Sequence, residues 1–389
     1  MKLTKDIFFQ NFEIKKNTNN LKKVFNNLIK NKNEILKSLS TNYIYSFSKT
    51  FRKTHYKKFT PLRIIGIGGS ILGSKAIYNF LDFKVKKKVY FIDNLTPKIE
   101  NKKIKKKTLN IIISKSGNTL ETISNVNILL KKNDNNIFIT QNNKSYLRNL
   151  ANKLKSEIID HNNFIGGRFS VLSEVGMVPS ILMGLNEKKF KQFDNLVKNK
   201  YFINSLISNV SNILFFIRKK KFNSIFINYD EKSEDFLKWY QQLLGESLGK
   251  KGKGIYPVIS LMPKDNHSLM QLYLEGPKKN FFTFFSVSEK NSDKINNNRI
   301  LDTYKFLKNK NLSEILRSQR KASEKVFINC KIPFRSFEVL QRSEKSLGEL
   351  FTFFILETIL LAKALKVNPY DQPSVELIKK KTKKILIKI

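Results

Sequence analysis

Between residues 63 and 160, five strand-length apolar runs recur, each parted from the next by enough chain for a helix. They are Arg63 to Gly68, Val89 to Ile92, Leu109 to Ile113, Ile137 to Thr140 and Glu157 to Asp160. β-branched runs with helix-sized connections specify βαβ units wound onto a parallel sheet. A long helical stretch from Asn195 to Lys220 leads into a second set of runs at Ser224 to Asn228, Pro257 to Ser260 and Phe281 to Val287. The expected fold is α/β: two doubly wound domains with central parallel sheets, residues 1–190 and 191–389, plus flanking helices. Residues 1–60 carry helical spacing in Leu21, Val24, Phe25, Leu28 and Ile29 and read as leading helices. Ser288 to Lys325 reads as charged and helical, and a lysine-rich helix closes the chain. The apolar stretch from Leu347 to Leu365 is interrupted by Glu349, Glu357 and Lys363. It reads as a buried core helix, because a spanning helix wants roughly 20 apolar residues.

At 389 residues the chain is long enough for two self-supporting cores. The single cysteine, Cys330, excludes an intramolecular disulfide and a cysteine-based metal cluster. The N-terminal stretch has no apolar run of signal-peptide character, so the expected location is cytoplasmic, without a membrane anchor. The formal charge of +42, from 73 Lys and Arg against 31 Asp and Glu, raises nucleic-acid binding for consideration. The lysine runs Lys84 to Lys88 and Lys102 to Lys107 lack the interleaved aromatic residues of a base-stacking surface. No nucleic-acid partner is expected. A strongly positive field instead favours small anionic substrates.

Six segments carry chemistry. Ile65-Gly66-Ile67-Gly68-Gly69-Ser70 runs from a strand through glycines into a helix, a geometry that offers backbone N–H groups and a helix dipole to phosphate. A dinucleotide fingerprint needs glycine where Ile71 stands, although Asp93 imitates the ribose-binding acid. Ser114-Lys115-Ser116-Gly117-Asn118-Thr119 supplies a second group of donors ahead of a helix containing Glu121. Alone, each loop is equally a turn or a helix cap. Together, at the carboxyl ends of parallel strands, they point to one phosphate site. Gly166-Gly167-Arg168 sets a guanidinium in a loop, suited to negative charge that develops on a substrate oxygen. Glu246 lies in the last turn of an amphipathic helix running from Trp239 to Lys250, where a carboxylate is either a general base beside a substrate carbon or, as most such glutamates are, simply solvated. Asp265-Asn266-His267-Ser268 holds one of only three histidines; His55 and His161 lie elsewhere, so no metal site is spelled out by spacing. The turn from Asn368 enters the terminal helix at Pro373, with Gln372 and Lys379 two turns apart.

In order and wording these segments resemble the glucose-6-phosphate isomerase family across residues 60–380, through GIGGS, GGRFSVLS, GESLGKKGKG, DNHSLMQLYLEGPK and NPYDQPSVELIKK. The resemblance implies paired sugar-isomerase-type domains and a phosphate pocket of Gly69, Ser70, Ser114, Lys115, Ser116 and Thr119. It implies that Glu246 moves a proton between C2 and C1 of the open-chain sugar through an enediol, while Arg168 stabilises the charge. It further implies that His267 and Lys379 open the sugar ring and that Gln372 and Glu121 position the substrate or orient the histidine. No cofactor and no metal are implied. The working unit it implies is a homodimer in which the partner subunit supplies the histidine. Ser116-Gly117-Asn118, Leu248 and Pro373 depart from the family pattern, and the chain is shorter than most members. The expected activity is interconversion of glucose 6-phosphate and fructose 6-phosphate. The alternatives are an isomerase of another phosphosugar, such as mannose 6-phosphate, and a non-catalytic phosphosugar-binding module.

Overall fold

The computed structural model describes residues 2–12, 18–48, 50–55, 61–99, 108–131, 134–289 and 291–388. The lysine run from Lys102 to Lys107 lies outside the described residues. Among the described residues ten strands form: β1 (Ile7–Gln10), β2 (Leu62–Ile65), β3 (Val89–Ile92), β4 (Leu109–Ile113), β5 (Asn135–Thr140), β6 (Glu157–Asp160), β7 (Asn223–Asn228), β8 (Tyr256–Leu261), β9 (Asn280–Val287) and β10 (Phe334–Val339). They build two five-stranded sheets.

The first sheet is wholly parallel, in the order β3-β2-β4-β5-β6. Every residue of β2 and β4 is buried, which is why these strands read as unbroken apolar runs and not as alternating ones. The polar exceptions satisfy each other: Arg63 Nε donates to Asn110 Oδ1 at 2.8 Å. The chain starts on β2, steps to β3 and then crosses back to β4, so the strand order reverses between β2 and β4. At such a reversal the helices leave on opposite faces and open a crevice at the carboxyl ends of the strands.

The second sheet repeats the scheme in the order β8-β7-β9-β10, with β1 added antiparallel to β10. This corrects the reading of residues 1–60 as leading helices alone. Helices do form at Asn19–Lys30, Glu34–Ser38 and Phe51–His55, but Ile7 and Phe9 alternate inward against β10 with the period of a strand. Ser288 to Lys325 is corrected too, since an α-helix forms only at Leu312–Asn329, after short 3₁₀ turns at Asn297–Arg299 and Asp302–Leu307. In those turns Leu301, Tyr304 and Phe306 stay exposed, so no apolar face holds a helix to the core.

One hydrophobic core joins Leu62 and Ile64 of the first sheet to Phe285 and Phe337 of the second. The helix Glu344–Ala364 runs through it and is buried from Ser346 to Ala362. Its Glu357 accepts from Arg335, Asn209 and Tyr240, with both Glu357 and Arg335 at 0 % exposure. Among the described residues no helix is long and apolar enough to cross a membrane.

Candidate active site

The two hydroxyl- and glycine-bearing loops leave β2 and β4, the strands that flank the reversal of the first sheet. After β2 the chain makes a 3₁₀ turn at Gly68–Ser70 with Gly68 at φ +55°, a conformation that favours glycine. A Cβ on Gly69 would lie 2.2 Å from the Gly167 carbonyl carbon and 2.5 Å from Arg168 N. Only glycine lets the two backbones approach this closely, and that contact seats Arg168 beside the loop. After β4, Ser114 Oγ and Thr119 Oγ1 are 2.9 Å apart, and Ser116 Oγ accepts from Asn118 N at 3.2 Å. Gly117, at φ +64°, turns the chain where a Cβ would strike Ser145. Lys115 is half-buried, and burial with the nearby Arg168 charge lowers its pKa. Glu121 sits in the first turn of the helix Leu120–Leu129.

Arg168 is buried, and all five of its N–H donors are engaged. Nε donates to Ser247 Oγ at 3.0 Å, Nη1 to Glu246 Oε2 at 3.0 Å and Gln372 Oε1 at 2.6 Å, and Nη2 to the carbonyls of Pro369 and Asp371 at 2.5 and 3.0 Å. Trp239 Nε1 donates to the Arg168 carbonyl at 3.2 Å, tying this loop to the helix Glu234–Leu248. Burial lowers the arginine's pKa, opposed by the carboxylate of Glu246. Glu246 itself is about a quarter exposed, at 26 % of its side chain. Its second oxygen accepts from Gln242 Nε2 at 2.9 Å, one helical turn back. A carboxylate held at both oxygens and still open to solvent has the placement a proton-transfer base needs.

The segment carrying Gln372 is pinned from a second side. Lys250 Nζ pairs with Asp371 at 3.1 Å and also donates to the Asn368 carbonyl, while Tyr370 packs on Phe169 with ring centroids 5.9 Å apart.

Of the residues singled out from the sequence, the structure brings Arg168, Glu246 and Gln372 into one hydrogen-bonded group against Gly69, with Lys115 close enough to feel the guanidinium. It does not bring His267 or Lys379 there. His267 is exposed in the loop after β8, and its side chain has no partner among the described residues. Lys379 is exposed on the helix Pro373–Leu386, paired with Glu376 at 2.7 Å.

Sequence reasoning passed over four partners of the group. Gln242 was findable, because it precedes Glu246 by four residues on a helix. Ser247, Lys250 and Asp371 give no signal in the sequence, since their roles depend on contacts between distant segments. His161 is also close to the site: its Nδ1 lies 2.9 Å from the Asn162 carbonyl oxygen, and burial, with the charge of Lys115, lowers its pKa to about 4. It is a neutral buried ring. Among the described residues no group of His, Cys, Asp or Glu is arranged to hold a metal ion.

The sequence matches the family described as phosphoglucose isomerase over residues 16–389. It is 34 % identical over 340 residues to the glucose-6-phosphate isomerase of Methanocaldococcus jannaschii, covering 82 % of each chain. It is 33 % identical over 389 residues to that of Mycoplasmopsis pulmonis, covering 92 % of this chain and 88 % of the relative. In three dimensions it is similar to a hypothetical protein from Thermus thermophilus, with a TM-score of 0.83, 23 % identity and 95 % of both chains covered. It is also similar in fold to a glucose-6-phosphate isomerase from Chlamydia trachomatis, with a TM-score of 0.71, 21 % identity and 91 % and 73 % of the two chains covered.

Proposed function

Because the chain belongs to the phosphoglucose isomerase family and is an isomerase, we propose that it interconverts glucose 6-phosphate and fructose 6-phosphate through an enediol, with Glu246 as the base. The observation that carries this reading is the Glu246 carboxylate, fixed between Gln242 and Arg168 next to the two phosphate-type loops. Gly69, Ser70, Ser114, Lys115, Ser116 and Thr119 hold the phosphate group. Glu246 takes the proton from C2 of the open-chain aldose and returns it to C1. A hydroxyl proton passes from O2 to O1 in the same sense, so the product is the ketose and the carboxylate is regenerated. Arg168 faces the oxygens on which negative charge grows, and a substrate oxygen takes over the Nη1 position held by Gln372. Glu121 belongs with Gln372 among the positioning residues.

Ring opening falls to His267 and Lys379, and we assign the working unit as a homodimer in which His267 acts on the partner subunit's site. This reading is supported by the exposure of His267 and by the helix bearing Lys379, which buries none of its residues while exposing Leu377, Ile378, Ile385 and Leu386. The same reading places the reaction in the cytoplasm, in glycolysis and gluconeogenesis. It keeps residues 1–190 and 191–389 as the two domains, with β1 reaching across to the second sheet.

The test is isomerisation of fructose 6-phosphate by the protein and by Glu246→Gln, both checked for folding. Loss of a general base typically costs about 10²- to 10⁴-fold in rate, with sugar phosphate binding retained. A folded protein that binds the sugar phosphate without turnover overturns the catalytic assignment and leaves a phosphosugar-binding module.

A further inference from the structure

Each sheet has its own reversal of strand order, and the site above uses only the first. In the second sheet the reversal falls between β7 and β9. At the carboxyl ends of those strands lies a cavity of about 330 Å³, walled by Tyr229 to Lys232 after β7, Ser286 to Glu289 at the end of β9 and just beyond it, and the opening turns of the helix Leu312–Asn329. Its volume is in the lower range of small-molecule pockets, and its place is where open α/β sheets bind ligands. None of the residues assigned to the first site lines it.

The polar groups of this cavity are unevenly matched. Arg342 is 7 % exposed, and its guanidinium gives Nε to Glu289 and Nη2 to Asp230, yet Nη1 has no partner among the described residues. Ser286 Oγ is also buried without a partner among the described residues. Arg317 is exposed at the rim and forms no ion pair among the described residues. Three of the wall's four carboxylates are by contrast engaged, Asp230 with Arg342 and Ser233, Glu289 with Arg342, and Glu338 with Arg320 at 2.8 Å, while Glu231 is exposed at the mouth. Spare donors facing occupied acceptors leave room for an added acceptor, and two guanidinium groups favour an oxyanion. Arg342 is held in place by Phe80, whose ring lies 4.9 Å from the guanidinium carbon. Ser288 and Ser313 supply hydroxyl partners along the wall.

We propose that this cavity is a second ligand site, taking a small hydroxylated anion of the class of a polyol or sugar phosphate monoester. Arg342, Arg317 and Ser286 hold the anionic group. Ser288 and Ser313 meet the hydroxyls. The site stands on its own geometry and does not depend on the reaction assigned to the first.

The probe is sn-glycerol 3-phosphate, titrated by calorimetry into the full protein and into Arg317→Ala and Ser286→Asp, with circular dichroism as the folding control. The expected result is a binding event that Arg317→Ala weakens roughly tenfold or more, as loss of a charged hydrogen bond would. Ser286→Asp abolishes the same event by repulsion. Isomerisation of fructose 6-phosphate is unchanged in Arg317→Ala. If Ser286→Asp fails to fold, the exposed Arg317→Ala decides the matter alone. Absence of binding, or binding that every folded variant retains at full affinity, overturns the proposal.

Discussion

A guanidinium has five donors, and at Arg168 every one is committed to protein: a serine hydroxyl, a carboxylate, an amide oxygen and two carbonyls. Its planar fork, and not merely its charge, is therefore what ties the Glu246 helix to the segment holding Gln372, and a lysine, with three donors around a point charge, does not replace it. Nearby, His161 shows how burial sets a protonation state. Its folded pKa of about 4 lies below the ordinary 6.5 because desolvation, reinforced by Lys115, disfavours the cation. Below pH 6.5 the unfolded chain takes up a proton that the native ring refuses, so stability is full above that value and is lost as pH falls toward 4. The loss between pH 7 and 5 is about 2 kcal/mol. Urea melts at those two pH values should show the drop in the parent protein, and His161→Gln should lack that component; equal slopes in the two proteins would show that the ring titrates normally. At this scale the sequence was legible where chemistry is local. Glu246 stood out as a helical carboxylate, but nothing around Asn162 in the sequence announces that its neighbour is buried beside a lysine.

The strand β10 and the helix Glu344–Ala364 meet through charges that no solvent reaches. Arg335 donates to Glu357, to Asn209 Oδ1 at 2.8 Å and to Thr283 Oγ1 at 3.0 Å, and its guanidinium carbon lies 5.3 Å from the Phe337 ring. Tyr240, from the Glu246 helix, donates to the same glutamate at 2.7 Å. Removing one member leaves a buried charge without its partner, so Glu357→Leu should cost about 3–5 kcal/mol. Replacing both, Arg335→Met with Glu357→Leu, removes the isolated charge and should recover much of that loss, since apolar replacement of a buried pair is often neutral. Denaturant melts of the single and double variants measure the difference, and a double variant no better than the single would mean that the two residues act separately. This network also explains which elements the sequence hid. The runs of the first sheet were readable as strands because they are rich in β-branched or aromatic residues and helix-sized segments separate them, even though β2 and β4 carry a buried Arg63 and Asn110. β10 reads FRSFEV, with a fully buried arginine where a core strand should be apolar, and it was not recognised. β1 is four residues long and pairs with a strand more than three hundred residues away, so no local pattern fixes it.

At the scale of the molecule the two sheets follow one winding, and the loops after β2 and β4 were expected from the sequence to leave the same edge of a parallel sheet, which is where they lie. Roles for His267 and Lys379 were expected only from the family resemblance, and within one chain neither touches the Arg168 group. His267 is exposed beyond β8, and Lys379 rides a helix none of whose residues is buried. Two arrangements suit such residues. Either they swing onto the site of their own subunit, or they complete the site of a partner. Mixing two inactive proteins separates the arrangements. A two-fold dimer assembled from His267→Ala and Glu246→Gln chains has one site with both defects and one with neither, if the histidine crosses the interface. With random pairing roughly half of the dimers are mixed, so the mixture should recover about a quarter of the parent activity. If His267 serves its own subunit, every site in every pairing carries one defect, and the mixture stays as inactive as its parts. Subunit exchange is verified by tagging one variant and recovering the other with it. Recovery near that fraction would assign the histidine to the neighbouring site, and exchange without recovery would return it to its own chain.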